Sequence, residues 1–192
     1  MIQAPQRHSQ TVSTPVHGVM LEMFGLGILL TGNSGVGKSE LALELISRGH
    51  CLIADDAPEL TRSDSGVIEG GSPALLHDFL HVRGLGLLNI RRLFGDAAIG
   101  ACRPLDLIVN LVNLDTETYF DDEKTLRSDK TNRNILDVII PQVDLPIYPG
   151  RNLAIWVECV VRDTALRRTG YHADQDFAER LQRKMKRKLI CE

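Results

Sequence analysis

Residues 32–39, G-N-S-G-V-G-K-S, constrain this chain more than any other stretch in it. They match G-x-x-x-x-G-K-[ST] at every fixed position, and such a loop has a narrow structural meaning. Its glycines let successive backbone N–H groups turn inward around phosphates. The lysine ammonium reaches the β- and γ-phosphates, and the serine hydroxyl takes up Mg2+. The loop works only between a buried strand and the start of a helix, whose unpaired N–H groups and partial positive charge face the same anion. Both neighbours are present: the apolar G-I-L-L-T-G before it, and afterwards a helical spacing of Leu41, Leu45 and Ile46 closed by Gly49. A chance match is expected in on the order of 1% of chains this long. The loop therefore predicts a site for ATP with Mg2+, built from Gly32, Asn33, Ser34, Gly35, Val36, Gly37, Lys38 and Ser39.

After the helix, Cys51–Ala54 is a short unbroken apolar run of the kind found in a strand buried on both faces, and it ends on Asp55 and Asp56. An acid at the end of a strand near the loop is where P-loop proteins hold their metal. Adjacent residues on a strand face opposite ways, so the two acids divide the work. One orients Mg2+ and the other accepts a proton from a substrate hydroxyl. Asp-Asp-Ala-Pro equally suits a turn or a helix N-cap, and the local pattern leaves both readings open.

Elsewhere, aliphatic and β-branched runs predict strands at 16–22, 26–31, 105–114, 138–145 and 152–161, with a short helix at 73–80. Residues 113–134 are charge-dense and read as a loop or insert. The closing stretch, Q-D-F-A-E-R-L-Q-R-K-M-K-R-K-L-I-C-E, reads as a basic amphipathic helix with Phe177, Leu181, Met185 and Leu189 on one face. Residues 1–15 are polar and aperiodic, a flexible lead-in to one domain over 16–192. They lack the apolar centre of a secretory leader.

A net charge of -3 gives no overall footprint for nucleic acid. The longest apolar run is too short to cross a bilayer, so no membrane association is expected. Cysteines 51, 102, 159 and 191 form no C-x-x-C pair. They read as buried thiols of a reducing compartment, which makes the cytoplasm the expected location.

From residue 17 onward the chain resembles the catalytic domain of bacterial HPr kinase/phosphorylase. The resemblance runs through P-V-H-G-V, the phosphate loop and its helix, L-I-A-D-D, H-V-R-G-L-G-L-L-N-I and P-I-Y-P-G-R-N-L-A. The R-G-L-G-L-L-N-I element is the most specific of these, whereas the loop at 32–39 is shared by many families. The family's separate N-terminal domain is not part of the match. The resemblance implies an α/β fold: a P-loop kinase domain of the HPr kinase / PEP carboxykinase-like type, with a mixed central sheet and flanking helices. It implies ATP-dependent phosphorylation of a seryl hydroxyl on HPr, the small phosphocarrier of bacterial sugar transport. It also implies the reverse step, in which inorganic phosphate attacks phosphoseryl-HPr and yields pyrophosphate, and assembly as a homo-hexamer.

Carried over residue by residue, the resemblance makes Asp56 the proton acceptor in one direction and donor in the other, and His17 an active-site histidine. On its own, His17 reads as an ordinary loop or core residue. Lys38 neutralises phosphate charge, and Arg83 and Arg151 supply an anion-tolerant pocket for the attacking phosphate. The metal set is Ser39, Asp55 and, where the family has a glutamate, His81, a poor ligand for Mg2+. Asp78 is the alternative ligand. Two further departures reduce positive charge: Tyr148 replaces an arginine, and Thr125 stands at a catalytic arginine position with Arg127 two residues on. These losses are expected to weaken the phosphate-driven reverse reaction more than the kinase reaction. Two other readings compete. One is a small-metabolite kinase whose lid is the insert 121–133, and the other is a nucleotide-binding regulatory module with impaired chemistry.

Overall fold

The computed structural model describes residues 16–113, 130–148 and 150–190. The chain starts as a tight hairpin, β1 (Val19–Met23) and β2 (Leu26–Gly32), joined by Phe24 and Gly25. Both turn residues have positive φ, 52° and 78°, which matches the twist of the flanking strands. A phenylalanine is costly in that conformation. Its ring is anchored edge-on to His50 at 4.8 Å and capped by the Arg162 guanidinium at 3.9 Å.

From β2 the chain passes through the phosphate loop into α1 (Lys38–Ser47), then into β3 (Cys51–Ala54), as the sequence predicts. A hairpin of β4 (Glu59–Arg62) and β5 (Ile68–Gly71) follows, and then a second hairpin of β6 (Phe79–Val82) and β7 (Gly86–Asn89). The short α2 (Ile90–Phe94) and a 3-10 turn (Asp96–Ala98) lead into the long β8 (Arg103–Asn113). The last elements are β9 (Lys130–Ile135), β10 (Val138–Ile147), α3 (Leu153–Arg168) and α4 (Ala173–Ile190).

The central sheet runs β3-β1-β2-β8-β10-β9, and the β4–β5 hairpin joins it through β5 at the start of β8. β2, β8 and β10 are parallel, while β1, β3 and β9 pair antiparallel to their neighbours. This is the mixed sheet with flanking helices that the resemblance implies. One face buries Ile28, Leu30, Val109 and Leu111 against Leu41 and Leu45 of α1 and Val157 and Val161 of α3. The other packs Met20, Leu29, Ile53 and Ile108 under Leu60 and Ile68 of the β4–β5 hairpin.

The end of α1 is tied to α3. Arg48 donates to both carboxylate oxygens of Glu158 at 2.9 and 2.7 Å, and His50 Nε2 lies 3.1 Å from the same carboxylate. The Arg48 hydrogen bond draws the Glu158 carboxyl down to about 2.

Four expectations change. Residues 152–161 are helical, not a strand. Asn152 accepts from Ile155 N–H at 3.1 Å as an N-cap, and the fully buried Ala154, Val157 and Val161 recur at helical spacing. The apolar density there belongs to a helix face that tertiary packing selects. Residues 73–80 form turns ending in β6 rather than a helix, since Asp78 has φ 75°. Part of the expected polar insert is strand, because Lys130–Ile135 pairs with β10; Thr125 and Arg127 lie outside the described residues. The described thiols are free, but Cys51 is only half-buried and Cys102 and Cys159 are exposed. Among the described residues no helix is long and apolar enough to cross a membrane.

Candidate active site

β2, β8 and β10 run the same way, so their C-terminal ends share one edge of the sheet, and the start of β1 and the end of β3 join them there. Ligands of α/β sheets bind at such an edge. The phosphate loop leaves it from the end of β2. Gly32 lies so close to β8 that a Cβ there would sit 2.6 Å from Leu111 O, and its φ of 139° also excludes a side chain. Gly37, the N-cap of α1, has φ 96° and lets the loop turn into the helix with its first N–H groups facing outward. The Lys38 ammonium donates to Gly32 O at 2.9 Å and Asn33 O at 3.0 Å, so it lies across the loop rather than out in solvent.

A cavity of about 390 Å³ opens over this loop. Its floor is Ser34, Gly35, Gly37, Lys38 and Ser39, and its opposite wall is Asp55, Asp56, His81 and Arg83. Each wall residue arrives by a different route. Asp55 follows β3 and is almost fully buried, with Oδ2 accepting from His81 N–H at 2.7 Å. Burial pushes its carboxyl above the ordinary aspartate value, and the His81 N–H offsets part of that rise. Asp56 takes φ 61°, which turns its side chain out of the protein into the mouth of the cavity, 85% exposed. His17, just before β1, reaches Asp56 with Nδ1 3.7 Å from Oδ1, because Gly18 N–H donates to Asp56 O across the β1–β3 pair. The two acids thus face different environments, one buried and one wet. The turn reading of Asp-Asp-Ala-Pro also holds, since Ala57 N–H donates to Asp55 O at 2.8 Å.

Arg83 projects from the β6–β7 turn, and its Nη1 lies 3.4 Å from where a Cβ on Gly35 would stand. A larger residue at 35 would fill the cradle between them. The donor set suits a magnesium triphosphate: loop amides, one ammonium, one guanidinium, and the Ser39 hydroxyl and Asp55 carboxyl from residues that line the same cavity. Among the described residues no group of three or more His, Cys, Asp or Glu is placed to hold a metal ion. A divalent cation here would therefore depend on phosphate oxygens and water, as Mg2+ commonly does.

The remaining candidates lie elsewhere. Arg151 does not line the cavity; its guanidinium stacks on Tyr148 at 4.2 Å and on Trp156 at 4.9 Å. Tyr148 is buried with its ring 6.1 Å from that of Trp156. Asp78, the alternative metal ligand, is gripped by Arg91 and is also absent from the cavity wall. The sequence reading missed Glu40, whose side chain joins the wall from the first turn of α1. Its position one residue after the loop's serine could have flagged it.

Comparison with known proteins agrees with this geometry. Residues 8–181 match the family model described as "HPr Serine kinase C-terminal domain". The HPr kinase/phosphorylase of Neisseria meningitidis serogroup C is 49% identical over 174 residues, 91% of this chain and 54% of that protein. That of Xanthomonas campestris pv. campestris is 48% identical over 155 residues, 81% of this chain and 49% of the other. The chain thus spans about half the length of the curated relatives it matches. Among solved structures, the Hpr(Ser) kinase/phosphatase of Coxiella burnetii superposes with a TM-score of 0.74 at 32% identity, covering 85% of this chain and 98% of that one. A phosphate loop at the sheet edge, two unlike aspartates beside it and a family match spanning nearly the whole chain lead to one assignment: the chain belongs to the HPr serine kinase C-terminal domain family.

Proposed function

We propose that this chain transfers the γ-phosphoryl group of ATP to a seryl hydroxyl of HPr, and that it runs the reverse step with inorganic phosphate, releasing pyrophosphate. The observation that carries the reading is the placement of the exposed Asp56 carboxylate at the mouth of the cavity whose floor holds Lys38 and Ser39. An acceptor hydroxyl approaching there meets a proton acceptor before it meets the phosphates.

In the forward direction the seryl oxygen attacks the γ-phosphorus, the bond to the ADP oxygen breaks, and the hydroxyl proton passes to Asp56. Phosphoryl transfer has a loose transition state, in which the proton leaves late and a carboxylate suffices to receive it. His17, whose Nδ1 lies 3.7 Å from that carboxylate, would orient it on closing to hydrogen-bond distance. Lys38, the loop amides and Arg83 stabilise charge on the transferring group. Mg2+ would be held by Ser39 Oγ and Asp55, and when bound it neutralises charge shared by the β- and γ-phosphates. His81 contributes its backbone N–H, which holds Asp55; its imidazole would be at most a weak ligand for Mg2+. In reverse, a phosphate oxygen attacks the phosphoseryl phosphorus, the bond to the seryl oxygen breaks, and that oxygen takes the proton held by Asp56 as pyrophosphate departs. We extend the reading to a homo-hexamer acting in the cytoplasm, with residues 16–192 as the catalytic domain.

Incubating the chain with HPr and γ-labelled ATP tests this. Label on HPr at serine is the expected result, and Asp56→Asn should reduce it by about 10²- to 10⁴-fold with nucleotide affinity nearly unchanged. ATP binding with no label on HPr would leave only a regulatory module, and label on a small metabolite would replace the substrate class.

A further inference from the structure

The hairpin that brings Arg83 and the His81 N–H to the cavity stands apart from the main sheet. β6 and β7 pair with each other, Phe79 opposite Asn89 through Val82 opposite Gly86, and with no other described strand. Two holds fix its middle: Leu80 and Val82 sink into the core beneath α1, and His81 N–H donates to Asp55. A third hold closes its base. Asp78, in the left-handed conformation just before β6, accepts through its carbonyl from Ile90 N–H at 2.8 Å, just after β7. Arg91 then takes the Asp78 carboxylate in a fork, Nε to Oδ2 at 2.7 Å and Nη2 to Oδ1 at 3.0 Å. Its Nη1 donates to Asp96, and His77 Nε2 lies 3.5 Å from Asp78 Oδ1. Neither Asp78 nor Arg91 lines the cavity.

A fork differs from a single contact. Two parallel hydrogen bonds fix an angle as well as a distance, whereas an ammonium fixes only the distance. Angle matters here because Arg83 sits at the far end of the hairpin. Over the roughly 13 Å of a four-residue strand, a tilt of about 5° at the base moves the tip by about 1 Å. A displacement of that size in a phosphate-facing group can cost about a hundredfold in rate. The pair is 37% and 21% exposed, and ion pairs so placed add little to global stability. We infer that the Asp78–Arg91 fork is a positioning strut for phosphoryl transfer, setting the angle at which β6–β7 presents Arg83 and the His81 N–H without touching nucleotide or acceptor.

The kinetic half of this inference rests on the phosphotransfer reading above; the geometric half does not. The test compares Arg91→Leu and Arg91→Lys with the unaltered chain in three measurements: transfer to HPr, melting temperature, and amide hydrogen exchange at His81. Both variants are expected to lose about tenfold or more in kcat, with KM for ATP within about twofold. The His81 amide should exchange about tenfold faster while the central strands keep their protection. Wild-type kcat and His81 protection in Arg91→Lys would show that charge alone suffices and overturn the strut. A loss confined to KM, or one matched by exchange throughout the core, would overturn it as well. Should Arg91→Leu fail to fold, the lysine variant decides. Should the unaltered chain transfer nothing to HPr, the functional reading fails and the His81 exchange rates alone decide the strut.

Discussion

Two regions of this domain were expected to handle phosphate, and the structure treats them in opposite ways. In the loop at 32–39 the cation is held in place: Lys38 is hydrogen-bonded to the carbonyls of its own loop, at the floor of a cavity whose opposite wall carries Arg83. At the corner after β10 the cation is stacked, with Arg151 lying on Tyr148 and Trp156 away from that cavity. A guanidinium on an aromatic face gains about 0.5–1 kcal/mol when exposed, and it gives up some of its freedom to reach an anion. The contrast shows that a basic residue in a phosphate-handling motif is only as useful as the partner that orients it. Backbone carbonyls hold Lys38 across the cavity floor, and aromatic rings hold Arg151 along the protein surface.

The largest test of that contrast is a matched pair of substitutions. Lys38→Met removes a charge aimed at the transferring group and is expected to lower phosphoryl transfer to HPr by about 10²- to 10³-fold. Arg151→Met should leave the kinase direction within about threefold, since it removes only a stacked surface cation. Steady-state rates with ATP and HPr measure both. Comparable losses in the two variants would erase the distinction and put Arg151 at the nucleotide.

Asp55 sharpens the same comparison from the acidic side. Burial raises its carboxyl above the ordinary value of 3.8, so the folded chain holds that proton more tightly than the unfolded chain does. Its contribution to stability is therefore whole below that value and is lost as pH rises through the folded pKa. Asparagine has nothing to ionise. With chelator present, Asp55→Asn should melt no lower than the unaltered protein at neutral pH, and its stability should fall less between acid and neutral pH. The same variant should bind magnesium ATP about tenfold more weakly. Melting curves at several pH values and nucleotide titrations check the two halves. Unchanged affinity with a lower melting temperature would make Asp55 a latch for His81 and nothing more.

What was legible in the residues follows the same division. The loop, α1 and β3 could be read locally because one contiguous segment holds both the motif and the strand and helix that make it work. Asp56 was nameable, but its exposure was not, since φ 61° and the pairing of β1 with β3 are tertiary facts. His17 meets it only through that pairing. The misreading of 152–161 has a plain cause: I-W-V-E-C-V-V is as apolar as a strand. Only the packing of Val157 and Val161 under the sheet, with Asn152 as cap, selects the helix. Arg151 could not be placed from the motif, because its direction is set by Trp156, five residues on and one helical turn into α3. Asp78 had the right charge for a metal ligand, and its capture by Arg91 depends on how the β6–β7 hairpin closes.

The smallest expected effect concerns Tyr148, which stands where an arginine was expected. Its ring is buried beside Trp156 and forms the surface on which Arg151 lies. Tyr148→Arg would replace that surface with a second cation. The two guanidinium groups would repel, the buried stem of the new arginine would extend toward water, and Arg151 would lose one of its two rings. A stability cost of about 1–3 kcal/mol is expected from the lost packing. In exchange, the corner gains a second cation to meet an incoming phosphate, and Arg151 is held by the Trp156 ring alone. The ratio of pyrophosphate release from phosphoseryl-HPr to forward phosphorylation should therefore rise, by about two- to fivefold for one added and imperfectly oriented charge. Measuring both directions on the same preparation, with the melting temperature as a control for folding, isolates the effect. A folded variant whose ratio does not move would mean that the corner plays no part in phosphate attack, and that the aromatic stack simply anchors the start of α3.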